Sequence, residues 1–295
     1  MNESRDILQY LHYHPLSSRG DITTGTAFKG SDATLKRVIA AGIKAGDIVA
    51  EGKARATRYR LSPQAQLLMP LNLDTYFALE VDERQVHSSY NFELINGLLA
   101  ETRLFSDKEL AHLDALQDEF RQHVNELTDN EYRKEMERLG IDLSWKSSQI
   151  EGNTYTLLET ERLLRESKTA EGKTKEEAVM LLNHKDALSF ILDNPDYLQE
   201  LTVSHIEDIH QLLTKDLSID KGLRRHRVGI TGTNYHPLDN EFQIREAMRD
   251  ACKLINSKYN IFEKALLTLL LLSYIQPFSD GNKHSTYYEQ CNTYC

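Results

Sequence analysis

The stretch YIQPFSDGNKHSTYYEQCNTYC, from Tyr274 to Cys295, decides how the rest of the chain is read. It follows a leucine-rich run and then breaks. Pro277 and Gly281 stop a helix, and Phe278 can anchor the turn by burying its ring. If a new helix starts after Gly281, successive backbone N–H groups at its positive end suit a phosphate. Asp280 adds a carboxylate able to hold a Mg²⁺ that bridges phosphates, and Lys283 adds a positive charge. A helix-loop-helix turn with no ligand is the plainer reading, because Asp-Gly and Pro-Phe also make ordinary turns.

The chain around this stretch has 295 residues, 27% of them charged and 40% apolar, enough to bury real cores and to divide into two domains. The net charge of −10 is unevenly spread. Through Pro63 there are 10 Lys and Arg against 6 Asp and Glu, net +4, which leaves −14 for the remainder and suggests an N-terminal unit with its own partner. Cys252, Cys291 and Cys295 form no Cys-x-x-Cys pair, so a reducing cytoplasm is expected. The opening residues show no basic segment followed by an apolar one, and so no secretory signal. The apolar run Ala265 to Ile275 is too short for a bilayer about 30 Å thick and reads as a core helix, with no membrane partner. No His-Glu-x-x-His spacing occurs. His205 and His210, five apart, read as solvated or core histidines, and His284 with Cys291 and Cys295 makes a poor zinc set.

In the N-terminal segment, Ile7, Leu8 and Leu11 fall at helical spacing and His14-Pro15 ends the helix. A second short helix is expected around Gly20 to Phe28. Ser31 caps a third, amphipathic through Leu35, Val38, Ile39 and Ile43, and alternating residues from Asp47 to Leu61 predict a hairpin. Helix, turn, helix, hairpin resembles a winged helix-turn-helix module. That resemblance implies DNA as a partner, with Lys36, Arg37, Lys53, Arg55 and Arg58 as contacts to phosphates or bases. Alternatively these charges are a solvated face and the module serves protein contacts.

From Pro63 to Glu101 the pattern reads as a connector or short strand. Ser106 and Glu109 then form a capping box, and helical patterns follow over "TDNEYRKEMERLGIDLSWKSSQI", "TKEEAVMLLNHKDALSFIL", "TVSHIEDIHQLLTK", Glu241 to Asn256 and Ile261 to Tyr274. Between them, "HRVGITGTNYHPL" predicts a β-hairpin with Thr-Gly-Thr at its turn.

The loop resembles the Fic family motif, His-Pro-Phe-x-(Asp/Glu)-Gly-Asn-(Gly/Lys)-Arg-x-x-Arg, and Pro277, Phe278, Asp280, Gly281, Asn282 and Lys283 match it. The resemblance extends over roughly Leu143 to Lys283 through "NHKDALSFI", "IEDIHQLL", "GLRRHRVGITGTNYHPL" and "KALLTLLLLSYI". It implies a mainly α fold: a winged helix-turn-helix over 1–63, a helical connector over 64–142, and a Fic-like helical core with a β-hairpin flap over 143–295. It also implies transfer of AMP from ATP to a hydroxyl of a target protein. Phe278, Asp280, Gly281, Asn282, Lys283 and His284 would then lie on Mg²⁺·ATP, with Asp280 on the metal. The flap, Thr231, Gly232, Thr233, Asn234 and Tyr235, would align the target by backbone pairing. "SSQIEGN" resembles the family's inhibitory motif, with Ser147, Glu151 and Gly152 in place. Ser147 and Glu151, four apart, share a helix face, and Gly152 can stop the helix.

Three positions depart from the motif: Gln276 stands where the general base is expected, His284 at the first arginine and Tyr287 at the second. An amide cannot accept a proton near neutral pH, and a positioned base contributes about 10²–10⁴-fold in rate. Impaired transfer is therefore expected. The residues from His284 onward carry no leucine stripe, so the core is expected to be cut short after its motif by a frame disrupted near Lys283. Loops with Asn-Lys at this place occur in Doc-type kinases, which keeps phosphate transfer open. A homodimer is compatible with the sequence, and the alternative function is a DNA-binding transcriptional regulator on a non-catalytic Fic scaffold.

Overall fold

The computed structural model describes residues 3–26, 28, 30–70, 73–84 and 88–282. The chain divides into two compact units, Met1–Glu80 and Val81–Cys295.

In the first unit α1 (Glu3–Tyr13), α2 (Arg19–Gly25) and α3 (Asp32–Ala45) precede strands β1 (Ile48–Glu51) and β2 (Arg58–Leu61). Serines cap two of the helices: Ser18 closes a capping box with Asp21, and the Ser31 side chain accepts from Thr34 N. Gly46 ends α3 in the left-handed conformation that favours glycine. The strands pair antiparallel with Ile48 opposite Leu61 and Glu51 opposite Arg58. Ile7, Leu11, Ile22, Leu35, Ile39, Ile48 and Leu61 form one buried cluster; Ile7, Leu11, Leu35 and Ile39 belong to the expected stripes on α1 and α3, whereas Ile43, expected on the same face of α3, is exposed.

Two short helices, α4 (Pro63–Leu68) and α5 (Leu73–Phe77), and a π-helical turn, Leu94–Leu99, occupy the stretch expected to be a connector or strand. Ser62 caps α4, with Pro63 in its first turn, a start signal the alternation-based reading passed over.

The second unit is built from α6 (Asp107–Glu126), α7 (Asp129–Ile150), α8 (Leu157–Glu166), α9 (Lys175–Asp193), α10 (Val203–Leu213), α11 (Glu241–Ser257) and α12 (Ile261–Ile275). Helix α8 was not anticipated, although Thr156 and Glu159 form a capping box at its start. Ile141, Tyr155, Leu163, Leu164, Ala178 and Leu181 join α7, α8 and α9, and Ala187, Leu188, Ile191, Ile209 and Leu213 join α9 to α10. Helix α12 is apolar nearly all round because it is buried at Ala265, Leu267, Leu271, Leu272 and Ile275. Among the described residues no helix is long and apolar enough to cross a membrane.

The hairpin expected over 226–238 is absent. The sheet found among the described residues is β1–β2, and the expected segment has only a turn at 231–232 and one bridge, His236 to Ser89. Pro237 has no N–H to give a ladder, and Tyr235 turns its ring onto Tyr274 instead of a cross-strand neighbour.

Glu177 joins the chain that follows α7 to the start of α9. Its Oε1 accepts from Thr154 N at 2.8 Å and Thr154 Oγ1 at 2.6 Å, and its Oε2 from Thr174 N at 2.9 Å. The Thr154 hydroxyl, then the Thr174 and Thr154 amides, pull the carboxyl from its ordinary 4.5 to about 2. A depressed carboxyl stabilises the fold fully above its unfolded value and loses that contribution as pH falls through the folded one. Glu177→Gln should therefore lower the melting temperature at pH 7, with the gap to wild type closing between about pH 4.5 and pH 2. A gap of constant size in a thermal melt series would reject this role.

Candidate functional site

Helix α12 ends in a residue that departs from helical geometry. Gln276 is its C-cap, with φ 51° and ψ 62°, and its N–H still reaches Leu272 O at 2.9 Å. The Gln276 side chain folds back, its Nε2 donating to Ser273 O at 2.8 Å. Past Pro277, Phe278 is fully buried. Phe278 N donates to Asn282 Oδ1 at 2.8 Å while Asn282 Nδ2 donates to Phe278 O at 2.9 Å, so one buried amide closes the loop from both sides. Gly281 sits at φ +73°, a backbone conformation that β-carbons disfavour.

Asp280 is exposed and accepts the Gly281 N–H on Oδ1 at 2.8 Å. Two of the loop amides are thus engaged inside the loop. Those of Ser279 and Asp280 have no acceptor among the described residues. Lys283 and His284, expected on the same ligand, and Tyr287 lie outside the described residues.

Two residues with no assigned role hold this loop. His210 on α10 is buried, and its ring stacks on Phe278 with centroids 3.7 Å apart and planes 8° from parallel. Its Nε2 lies 2.9 Å from Asp280 O. A carbonyl only accepts, so Nε2 carries the proton. Burial pushes the imidazole below its ordinary value, against a smaller opposing effect of the Asp280 contact. The sequence signal was present: Ile206, Ile209, His210 and Leu213 make one buried stripe at helical spacing.

Arg224 is the second. It is 3% exposed, yet among the described residues its guanidinium meets backbone carbonyls and no carboxylate. Nε donates to Gln276 O at 2.6 Å, Nη1 to His226 O at 2.9 Å, and Nη2 to Leu238 O and, at 3.5 Å, Ile275 O. Its own N–H donates to Pro277 O at 2.9 Å. Burial lowers its pKa. Nothing in the pair Arg224-Arg225 tells which is buried; Arg225 is exposed and pairs with Glu241 at 3.1 Å.

The flap candidates sit beside α12. Tyr235 Oη donates to Tyr274 O at 2.9 Å, and its ring stacks on Tyr274 at 4.9 Å. Thr231, Gly232 and Asn234 are exposed, Thr233 half-buried. Gly232 O accepts from Arg84 Nη1, and Asn234 Nδ2 donates to Val81 O, each at 3.0 Å.

Of the inhibitory candidates, Ser147 is buried on α7 and Glu151 is half-buried just past its end, as the C-cap. Gly152 follows at φ +87°, in open space, and turns the chain. Lys36, Arg37, Lys53, Arg55 and Arg58 all belong to the first unit and are exposed; Lys36 pairs with Asp32 at 2.7 Å.

Removing the guanidinium would leave several buried carbonyls without a donor, at about 1–3 kcal/mol each. Arg224→Met should therefore destabilise the second unit by about 3 kcal/mol or more, with Arg224→Lys intermediate. A shift under about 1 kcal/mol in urea unfolding would show the clamp to be dispensable.

Comparison with known proteins follows the same segments. A Fic/DOC family model matches residues 200–288. The fold resembles that of a Fic domain-containing signaling protein from Bacteroides thetaiotaomicron, at TM-score 0.53 and 19% identity over 61% of this chain and 70% of that one. It also resembles Fic-1 from C. elegans, at TM-score 0.51 and 19% identity, and a Fic family protein from Desulfovibrio desulfuricans, at 0.50 and 18%. Each of these two alignments covers 62% of this chain, which spans only 56% of the other. No curated protein matches the sequence with significance. The loop after α12, the helices α10 to α12 that frame it and this likeness of fold agree: residues 200–288 are a Fic/DOC family domain.

Proposed function

We propose that the chain binds Mg²⁺·ATP in the manner of protein adenylyltransferases, and that its transfer of AMP to a protein hydroxyl is impaired. One observation carries this reading: buried Phe278 and Asn282 pin the loop while Asp280 stays exposed beside two amides that lack acceptors among the described residues. Such amides and a carboxylate suit a phosphate with its cation. Among the described residues no three His, Cys, Asp or Glu are grouped to hold a metal, so a cation at Asp280 would complete its shell with phosphate oxygens and water.

Asp280, Gly281, Asn282, Lys283 and His284 would hold the nucleotide, which when bound supplies the activated phosphoryl group. Residues 231–235 would align the target chain, and Glu151 would restrain the site. At the base position Gln276 offers an amide that is already donating to Ser273, and the missing proton acceptor is worth about 3–5 kcal/mol of barrier. Phosphate transfer of the Doc type would meet the same deficit.

Calorimetric titration with ATP should show Mg²⁺-dependent binding that Asp280→Ala weakens at least tenfold. Labelled ATP with cell lysate should give no protein labelling by the wild type, run beside Gln276→His. Absence of binding would overturn the nucleotide reading; labelling by the wild type would overturn the impairment.

A second reading is favoured by the first unit, where Lys53, Arg55 and Arg58 are exposed in and beside the turn joining β1 to β2. As a winged helix-turn-helix it would present α3 and this turn to DNA, and the protein would be a transcriptional regulator on a non-catalytic Fic scaffold. With three to five phosphates neutralised, the logarithm of affinity should fall against that of salt with a slope of about −2.7 to −4.5. A flat dependence would exclude it.

A further inference from the structure

The chain places one of its own segments against the proposed target-aligning residues. His236 N donates to Ser88 O at 2.9 Å, and Ser89 bridges His236 in parallel sense. Tyr90 stacks on Tyr274 with centroids 5.0 Å apart, the ring that Tyr235 also stacks on. Asn91 N donates to Tyr274 Oη at 2.7 Å. Residues 88–91 therefore engage the 235–236 backbone with one strand-like pair and insert one aromatic ring beside α12, the combination by which extended peptides dock on an open edge. One bridge, the contacts of Asn91 N with Tyr274 Oη and of the His236 ring with Ser88 O, and one stack hold the segment with a single backbone pair, where a ladder would repeat such pairs along the strand. Ser88, Ser89 and Tyr90 carry hydroxyls, the acceptor chemistry proposed for the target.

We propose that residues 88–91 are an intramolecular occupant of a peptide-docking strip formed by Tyr235, His236 and Tyr274. An extended segment of another polypeptide, with an aromatic side chain at the Tyr90 position, takes the same place when 88–91 leave. The inference rests on the reading of 231–235 as target-aligning, and it adds what occupies that strip and what a partner must carry.

The test uses the full chain and a fluorescent peptide of sequence SSYNFE, residues 88–93, without nucleotide. Tyr90→Ala should bind the peptide at least tenfold more tightly than wild type, whose strip is filled, and a peptide with Ala for Tyr should not bind. The His236 amide should exchange at least tenfold faster in Tyr90→Ala and regain protection when peptide is added. Asn91→Pro, which removes the N–H given to Tyr274, should act in the same direction and serves where Tyr90→Ala does not fold. Equal peptide binding by wild type and variants, no binding by any of them, or unchanged exchange at His236 would overturn the proposal. ATP takes no part, so a failure of nucleotide binding and a failure of peptide binding are told apart.

Discussion

A buried positive charge solvated by backbone carbonyls ties the end of α12 to the segment before α11. A helix leaves its last carbonyls without partners, and they carry the negative end of the helix dipole. At the end of α12 those of Ile275 and Gln276 receive the Arg224 guanidinium, whose other donors reach His226 and Leu238. One side chain thus fixes where α12 stops, where the motif loop begins and how the segment before α11 runs. No carboxylate among those bonds competes for the guanidinium, and four bonds from its planar fork reach separate chain segments at once.

On the other side of the loop, His210 and Asn282 set its shape. The Asn282 amide satisfies both polar groups of Phe278, which can then lie buried beneath the His210 ring. Shape and chemistry are separable here. Phe278 and Asn282 hold the loop within the segment 200–288 that matches the Fic/DOC family, and Gln276 at its start gives its side-chain amide to Ser273. A scaffold maintained by packing and carbonyl bonds does not require its reacting groups in order to stand.

Much of this was legible in the sequence because the signals are local. Helix starts announce themselves through capping boxes such as Ser106 with Glu109, and apolar spacing gave α1, α3 and the core of α12. The motif loop was legible because proline and glycine break a helix and a turn there follows directly on the apolar run of α12. Non-local features were not. The hairpin over 226–238 failed because alternation describes a strand only when a partner edge exists, and Tyr235 found its partner on α12. The burial of Arg224 rather than Arg225 depends on carbonyls about 50 residues away, beyond any spacing rule. Helix α8 is marked in the sequence too, by the Thr156 and Glu159 capping box, a signal as plain as that of Ser106.

The left-handed backbone at Gln276 acts as a filter on what can occupy that position. Branching at the β-carbon is poorly tolerated there, so valine, isoleucine and threonine would strain the end of α12. Asparagine, aspartate and histidine visit this region more readily than most side chains. Histidine is therefore among the side chains whose backbone the position already provides, and an exchange there leaves the hinge of the loop where it stands.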